Sequence, residues 1–359
     1  MVIFLTTVLA GCATSYQPPV ETEIGAEAVL EPIVVTEKTA VDSDDPAIWL
    51  HPDDPSKSLV LGTDKGGSIF VFDLDGKIIP EKTVTGMGRM NNIDVAYGFP
   101  LGGEKIDIAL ATDRNEEKIR AFRLPDMSPI DSGGIRTFVG ETDDRRAMGL
   151  AMYTRPSDGA FFVIVSRKFG VSGAYLWQYR LDDAGDGSLK ATKVRAFGEF
   201  VGGKEIEAVA VDNELGYVYY SDETAGVHKY LADPDAPNAD QELAFFGNEG
   251  FAQDQEGISI YKVNDGTGYI LVSDQQANTF RVFKREGEPG APPDHRLVKV
   301  VRVSTNESDG SDVTNVPVDD RFPSGIFVAM SDDQTFHYYS WDDIAGKDLK
   351  KAPNGTVEK

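Results

Sequence analysis

A chain of 359 residues with 41% hydrophobic and 26% charged residues has the composition of a globular protein able to bury a large core. Its formal net charge of -24 excludes a nucleic-acid partner and direct binding to anionic headgroups, and suits a protein that gathers divalent cations. The single cysteine, Cys12, excludes an internal disulfide.

In chain order, residues 2–9 form an apolar run too short to span a bilayer, and Leu9-Ala10-Gly11-Cys12 places small residues before a cysteine, the pattern of a bacterial lipobox. Residues 1–12 therefore read as a lipoprotein signal segment with Cys12 as the lipid attachment point. No Lys or Arg precedes the apolar run. By resemblance to bacterial lipoproteins, Ala13 after the cysteine points to the outer membrane. The expected location is a bacterial outer-membrane lipoprotein facing the periplasm or cell surface, touching the membrane only through its lipid. Residues 13–33, rich in Pro, Glu and Thr, read as a flexible tether.

From residue 34 onward, short runs rich in Val, Ile, Tyr and Phe alternate with Gly, Asp, Asn and Pro clusters, which predicts an all-β chain. An aromatic-bearing strand recurs six times. Its aligned aromatics, Phe72, Phe122, Tyr179, Tyr230, Phe283 and Tyr339, lie roughly 50 to 57 residues apart, the length of one propeller blade. The predicted fold is a six-bladed β-propeller of four-stranded antiparallel blades over residues 34–350. A closed propeller has no free edge that needs covering, so a monomer is expected.

About ten residues before each aromatic strand, an apolar strand ends in a polar trio. These are Thr63-Asp64-Lys65, Thr112-Asp113-Arg114, Ser166-Arg167-Lys168, Ser221-Asp222-Glu223, Ser273-Asp274-Gln275 and Ser331-Asp332-Asp333. Earlier still, polar clusters open each blade's first strand and contribute Asp44, Asp45, Glu207, Asp254, Glu256, Asp309 and Asp312. In an antiparallel meander the start of strand one and the end of strand two share an edge, so all twelve clusters should converge on one mouth of the central channel. The first three trios supply Lys65, Arg114 and Lys168. The last three supply oxygen ligands, Asp222, Glu223, Asp274, Gln275, Asp332 and Asp333. A lone Asp at a strand end is ordinarily a turn residue; the segregation of charge by blade half is what argues for chemistry. Carboxylates this dense need cations among them, and hard oxygen donors without His or Cys select Ca²⁺ or Mg²⁺, with irregular loops favouring Ca²⁺. Metals facing a Lys/Arg wall form a site for a phosphoryl group.

Other chemistries lack their residues: no G-x-x-x-x-G-K-S/T loop, no Gly-x-Ser-x-Gly elbow, and no catalytic arrangement around His51, His228, His295 or His337. Two rivals share the architecture: a calcium-dependent propeller lactonase or esterase, and a non-enzymatic surface-anchored binding propeller.

Asp42-Ser43-Asp44-Asp45-Pro46-Ala47-Ile48-Trp49 and Asn91-Asn92-Ile93-Asp94-Val95-Ala96-Tyr97 resemble the two signature motifs of the β-propeller phytases, and the similarity runs from about residue 34 to 344. The resemblance implies a calcium-dependent phytase of the 3-phytase type, hydrolysing phosphate monoesters of phytate (myo-inositol hexakisphosphate). It implies direct attack by a calcium-bound water, without a phosphoenzyme, and several bound calcium ions. By the same resemblance Asp45, Glu207, Glu223, Asp254, Glu256 and Asp309 are calcium ligands, with Asp44 as a further one, and Lys65, Arg114 and Lys168 bind phosphate. Asp222 joins the candidate ligands from its trio, and Glu223 the candidate catalytic residues. Two positions depart from the family: Gly66 stands where a second Lys is common, and Met148 where a phosphate-contacting Tyr is common.

Overall fold

The computed structural model describes residues 28–142, 144–287 and 294–353. The signal segment, Cys12 and the tether up to residue 27 lie outside the described residues. The rest is a six-bladed propeller of antiparallel, essentially four-stranded blades. The first blade is built from Ser43–Trp49, Leu59–Asp64 and Ser68–Phe72, its outer edge reduced to the bridges Ile69–Val84 and Phe72–Ile78. The second, Met90–Leu101, Glu104–Asp113 and Lys118–Leu124, has a split outer strand. The third opens with Ala147–Thr154, the fourth with Ile206–Asp212, the fifth with Gln255–Asn264 and the sixth with Ser311–Val313.

The outer strand of the sixth blade comes from the other end of the chain. Val34 and Val35 pair with Tyr338 and His337, closing the ring. Docking begins inside the segment read as tether, because Leu30 bridges Val303 and its N–H donates to Arg302 O at 2.9 Å.

Alternating side chains give each strand two faces, and in a propeller both are covered by neighbouring blades. The core accordingly divides into six apolar layers, one between each adjacent pair. Leu110, Phe138 and Val163 belong to the layer between blades two and three, and Val60, Phe72, Val328 and Phe336 to the one joining six to one. Hydroxyls stitch blade to blade near the mouth: Thr112 Oγ1 donates to Met148 O (2.7 Å), Ser166 Oγ to Ile206 O (2.6 Å) and Ser273 Oγ to Ser308 O (2.7 Å).

The first strand bulges at the same place in five blades. The register slips between Ser43 and Pro46, Met90 and Ile93, Ala147 and Leu150, Ile206 and Val209, and Gln255 and Ile258. A bulge re-aims side chains at a sheet rim. Here it sets Asp44, Asn91, Met148, Glu207 and Glu256 in one ring, which Asp309 completes. In three blades the following residue is a glycine that the next blade crowds: a Cβ on Gly149 would lie 1.8 Å from Glu207 O, one on Gly257 2.8 Å from Ser311 N, and one on Gly310 2.6 Å from Asp45 Cα.

Candidate active site at the channel mouth

One backbone hydrogen bond, repeated six times, organises the mouth. The N–H groups of Lys65, Arg114, Lys168, Glu223, Gln275 and Asp332 donate to the carbonyls of Asp42, Arg89, Arg146, Glu205, Asp254 and Asn306 at 2.8 to 3.2 Å. Each blade therefore presents two side chains beside its bulge residue. In the sixth blade the residue equivalent to Lys65 is Asp332, one position earlier than the trio alignment placed it. Ser331 stands in for Asp64, its Oγ accepting from Asn306 N at 3.1 Å.

The middle residue of the trio does something else. Asp64, Asp113, Asp222 and Asp274 accept from Val41 N (2.8 Å), Gly88 N (3.0 Å), Val201 N (2.6 Å) and Ala252 N (2.9 Å), pinning the loop that leads into each first strand. Asp222 thus anchors a loop through Oδ2 and belongs to neither of the carboxylate groups at the mouth, while its Oδ1 is buried without a hydrogen-bond partner.

The paired positions divide by charge. A cleft of about 470 Å³ is lined by Lys65, Arg89, Arg114, Asn115, Arg146 and Lys168, and on its far wall by Glu205, Glu207 and Asp309. Lys65, Arg114 and Lys168 are together as expected. Arg89, Arg146 and Asn115 were not singled out in the sequence, although Arg89 and Arg146 stand two residues before a bulge residue, as Glu205 and Asp254 do. Arg89 and Arg114 make no ion pair among the described residues; Lys168 pairs with Glu205, and Arg146 Nε donates to Asp144 at 2.9 Å. Lys65 Nζ lies 2.7 Å from Asp309 and 3.9 Å from Asp44. Burial works to lower its pKa, but the charges of Asp44 and Asp309 overcome it and raise it.

On the acidic side, Glu205, Glu207 and Glu223 form one group and Glu223, Asp254 and Glu256 another, carboxylate oxygens within each lying inside 4.8 Å of one another. Glu223 belongs to both. Asn91 Nδ2 donates to Asp44 Oδ2 (3.0 Å) and to Glu207 Oε1 (2.7 Å), fixing the floor. Burial, reinforced by Asp309 and Glu205, pushes Glu207 up to about 7. Burial pushes Glu223 up to about 8, with Lys204 opposing and Glu207 adding to the rise. Glu256 is raised well above the carboxylate range, first by burial and then by Glu223 and Glu207. Glu223 Oε1 and Glu256 Oε2 are buried without a hydrogen-bond partner. Orphaned, hard anionic oxygens of this kind fit divalent cations, so these groups can hold metal ions.

Asp45 faces elsewhere. With Asp94 and Asp312 it lines a cavity of about 140 Å³ further along the channel. Asp45 accepts from Ile93 N (3.0 Å), Asp94 from Met152 N (2.7 Å) and Asp312 from Ile48 N (2.7 Å), each on the following blade. Met148 takes its place in the bulge ring as a fully buried side chain. At Gly66 a Cβ would meet Val41 Cγ2 at 2.5 Å and Asp64 Oδ1 at 2.6 Å, so the loop has closed over the place where a longer side chain would begin.

Comparison with known proteins agrees with this geometry. The family model described as Phytase matches residues 5–353. The 3-phytase of Bacillus subtilis (strain 168) is 31% identical over 320 residues, covering 84% of this chain and 80% of that relative. Neither the lactonase nor the non-enzymatic alternative accounts for a match of that extent. The chain belongs to the phytase family and is a phosphate monoester hydrolase on a six-bladed propeller.

Proposed function

We propose that this enzyme is a calcium-dependent 3-phytase, removing phosphate from phytate with one half of the mouth holding phosphate and the other holding calcium. The observation that carries the reading is the division of one sixfold backbone ring by charge, with Lys65, Arg114 and Lys168 facing carboxylates whose buried oxygens lack partners. Glu205, Glu207, Glu223, Asp254 and Glu256 would hold the ions, with Asp44 and Asp309 beside them. A large, irregular carboxylate set suits the flexible coordination of Ca²⁺ better than the strict octahedron of Mg²⁺. Bound there, the ions would lower the pKa of water and polarise phosphoryl oxygens.

The chain's own residues do the positioning. Lys65, Arg114 and Lys168, from three successive blades, orient the phosphoryl group and offset its developing charge. Lys168 exchanges its ion pair with Glu205 for phosphate. Lys65, seated between Asp44 and Asp309, ties the two halves together. No histidine lines the cleft, and we read the nucleophile as water, without a phosphoenzyme.

Inorganic phosphate release from phytate tests the reading, measured with calcium, after EGTA, and after calcium is returned. Release should vanish with EGTA and recover with calcium. Release indifferent to EGTA, or none from folded calcium-loaded protein, would refute it. The lipobox supports a second proposal, lipid attachment at Cys12 and an outer-membrane location. Palmitate labelling should mark the wild type and not Cys12→Ser; equal labelling would refute it.

A further inference from the structure

Lys204 precedes the fourth blade, next to Glu205, and nothing in the sequence marks it. Its ammonium lies 2.8 Å from Glu223 Oε2 and 2.9 Å from Asp254 Oδ2. A cation of the chain itself therefore stands among the three carboxylates of the Glu223–Asp254–Glu256 group. It leaves the group unfinished: Glu223 Oε1 and Glu256 Oε2 remain buried and unpartnered. The burial is also lopsided, with the Lys204 side chain 47% exposed and that of Glu223 1%. A flexible stem entering from solvent can withdraw without disturbing the blades, and it borders an open cleft of about 450 Å³ lined by Thr224, Asn248, Phe251 and Gln253. A single mobile charge offsets part of the repulsion among three carboxylates. A divalent ion offsets more, reaches the unpartnered oxygens, and returns to the lysine its side-chain freedom.

We propose that Lys204 is a built-in stand-in for a metal ion. It neutralises the Glu223–Asp254–Glu256 group in the metal-free enzyme and is displaced when metal binds. It thereby sets the metal concentration at which the site fills, since a competing internal state lowers apparent affinity by the fraction of sites it blocks. The inference rests on the reading of this group as a metal site.

The test is calcium titration calorimetry on metal-stripped wild type, Lys204→Met and Lys204→Arg, with acetylation of wild-type Lys204 followed by mass spectrometry as calcium is added. Lys204→Met should bind the affected ion about tenfold more tightly, and Lys204→Arg should stay within about threefold of wild type. Metal-free Lys204→Met should also melt at a lower temperature. Wild-type Lys204 should be acetylated several-fold faster once calcium is present. Unchanged or weaker calcium binding by Lys204→Met overturns the inference. So does tighter binding with Lys204 acetylation unaltered by calcium, which would mark a through-space effect without displacement. Absence of any calcium binding overturns this inference and the calcium reading together. Calcium binding with displacement, but without phytate hydrolysis, removes only the substrate assignment.

Discussion

Both ends of the propeller bury charge, and they bury it differently. At the end away from the mouth, Arg285 is 0% exposed with every guanidinium nitrogen engaged: Nε and Nη2 donate to Asp212 at 2.6 and 2.7 Å, Nη2 also to Glu214 at 2.8 Å, and Nη1 to Thr267 O at 3.2 Å. At the mouth, Glu223 and Glu256 are nearly as buried and keep oxygens with no partner. A closed network holds the fold. An open one is poised to hold something that arrives.

The contrast breaks most visibly at Arg285. Arg285→Met leaves Asp212 and Glu214 uncompensated and should cost about 3–5 kcal/mol of unfolding free energy. Chemical denaturation measures this, and phosphate release per folded molecule should not change. A stability loss below about 1 kcal/mol would remove the distinction between the two ends. At the mouth the sign reverses: Glu256→Gln removes an acid that burial and its neighbours make costly to ionise, so the metal-free protein should gain about 1 kcal/mol while calcium affinity falls at least about tenfold. A less stable metal-free Glu256→Gln would show that the acidic groups hold the fold as Arg285 does.

Acidity sharpens the same contrast. The folded values of Glu207, about 7, and Glu223, about 8, both lie above the ordinary 4.5. The native metal-free state therefore binds these protons more tightly than the unfolded chain, and its stability falls as pH rises from about 4.5 through about 8. The metal-free melting temperature should drop across that window, and calcium affinity should rise in it because protons compete for the ligands. A melting temperature that is flat or rising there contradicts the assignment. The smallest effect is expected at Gly66: Gly66→Lys must push aside Val41 and Asp64 and should cost about 1–2 kcal/mol. Wild-type stability with tighter phytate binding would show that the loop yields.

The six blades were legible because each repeats an aromatic strand that must pack on its neighbour, as Phe72 does on Phe336 with ring centroids 5.8 Å apart. Convergence of the trios followed from antiparallel register alone, and Ser43 opposite Asp64 and Ile206 opposite Asp222 bear it out. Outer strands were harder to read. One is two isolated bridges and another is the pair Val34 and Val35 from the opposite end of the chain. At the site, the sequence could not separate Asp222 from Glu223. Adjacent strand residues point to opposite faces, and only the backbone shows which one meets the channel. One signal was available: Asp recurs at the Asp222 position in four blades regardless of charge half, as a structural residue would, whereas its neighbour changes sign halfway round. Arg89 and Arg146 occupy a column of their own two residues before the bulge, which becomes visible once the bulges are aligned. Lys204 had no such column.

The two halves of the mouth divide the labour between them, and two variants test this division together. Lys168→Ala and Glu223→Gln would each be assayed for calcium binding by calorimetry and for phosphate release from phytate. Lys168→Ala should keep its calcium and lose release by about 100-fold or more. Glu223→Gln, at the residue shared by both acidic groups, should lose calcium and release together. Wild-type release by Lys168→Ala, or wild-type calcium binding by Glu223→Gln, would contradict that division.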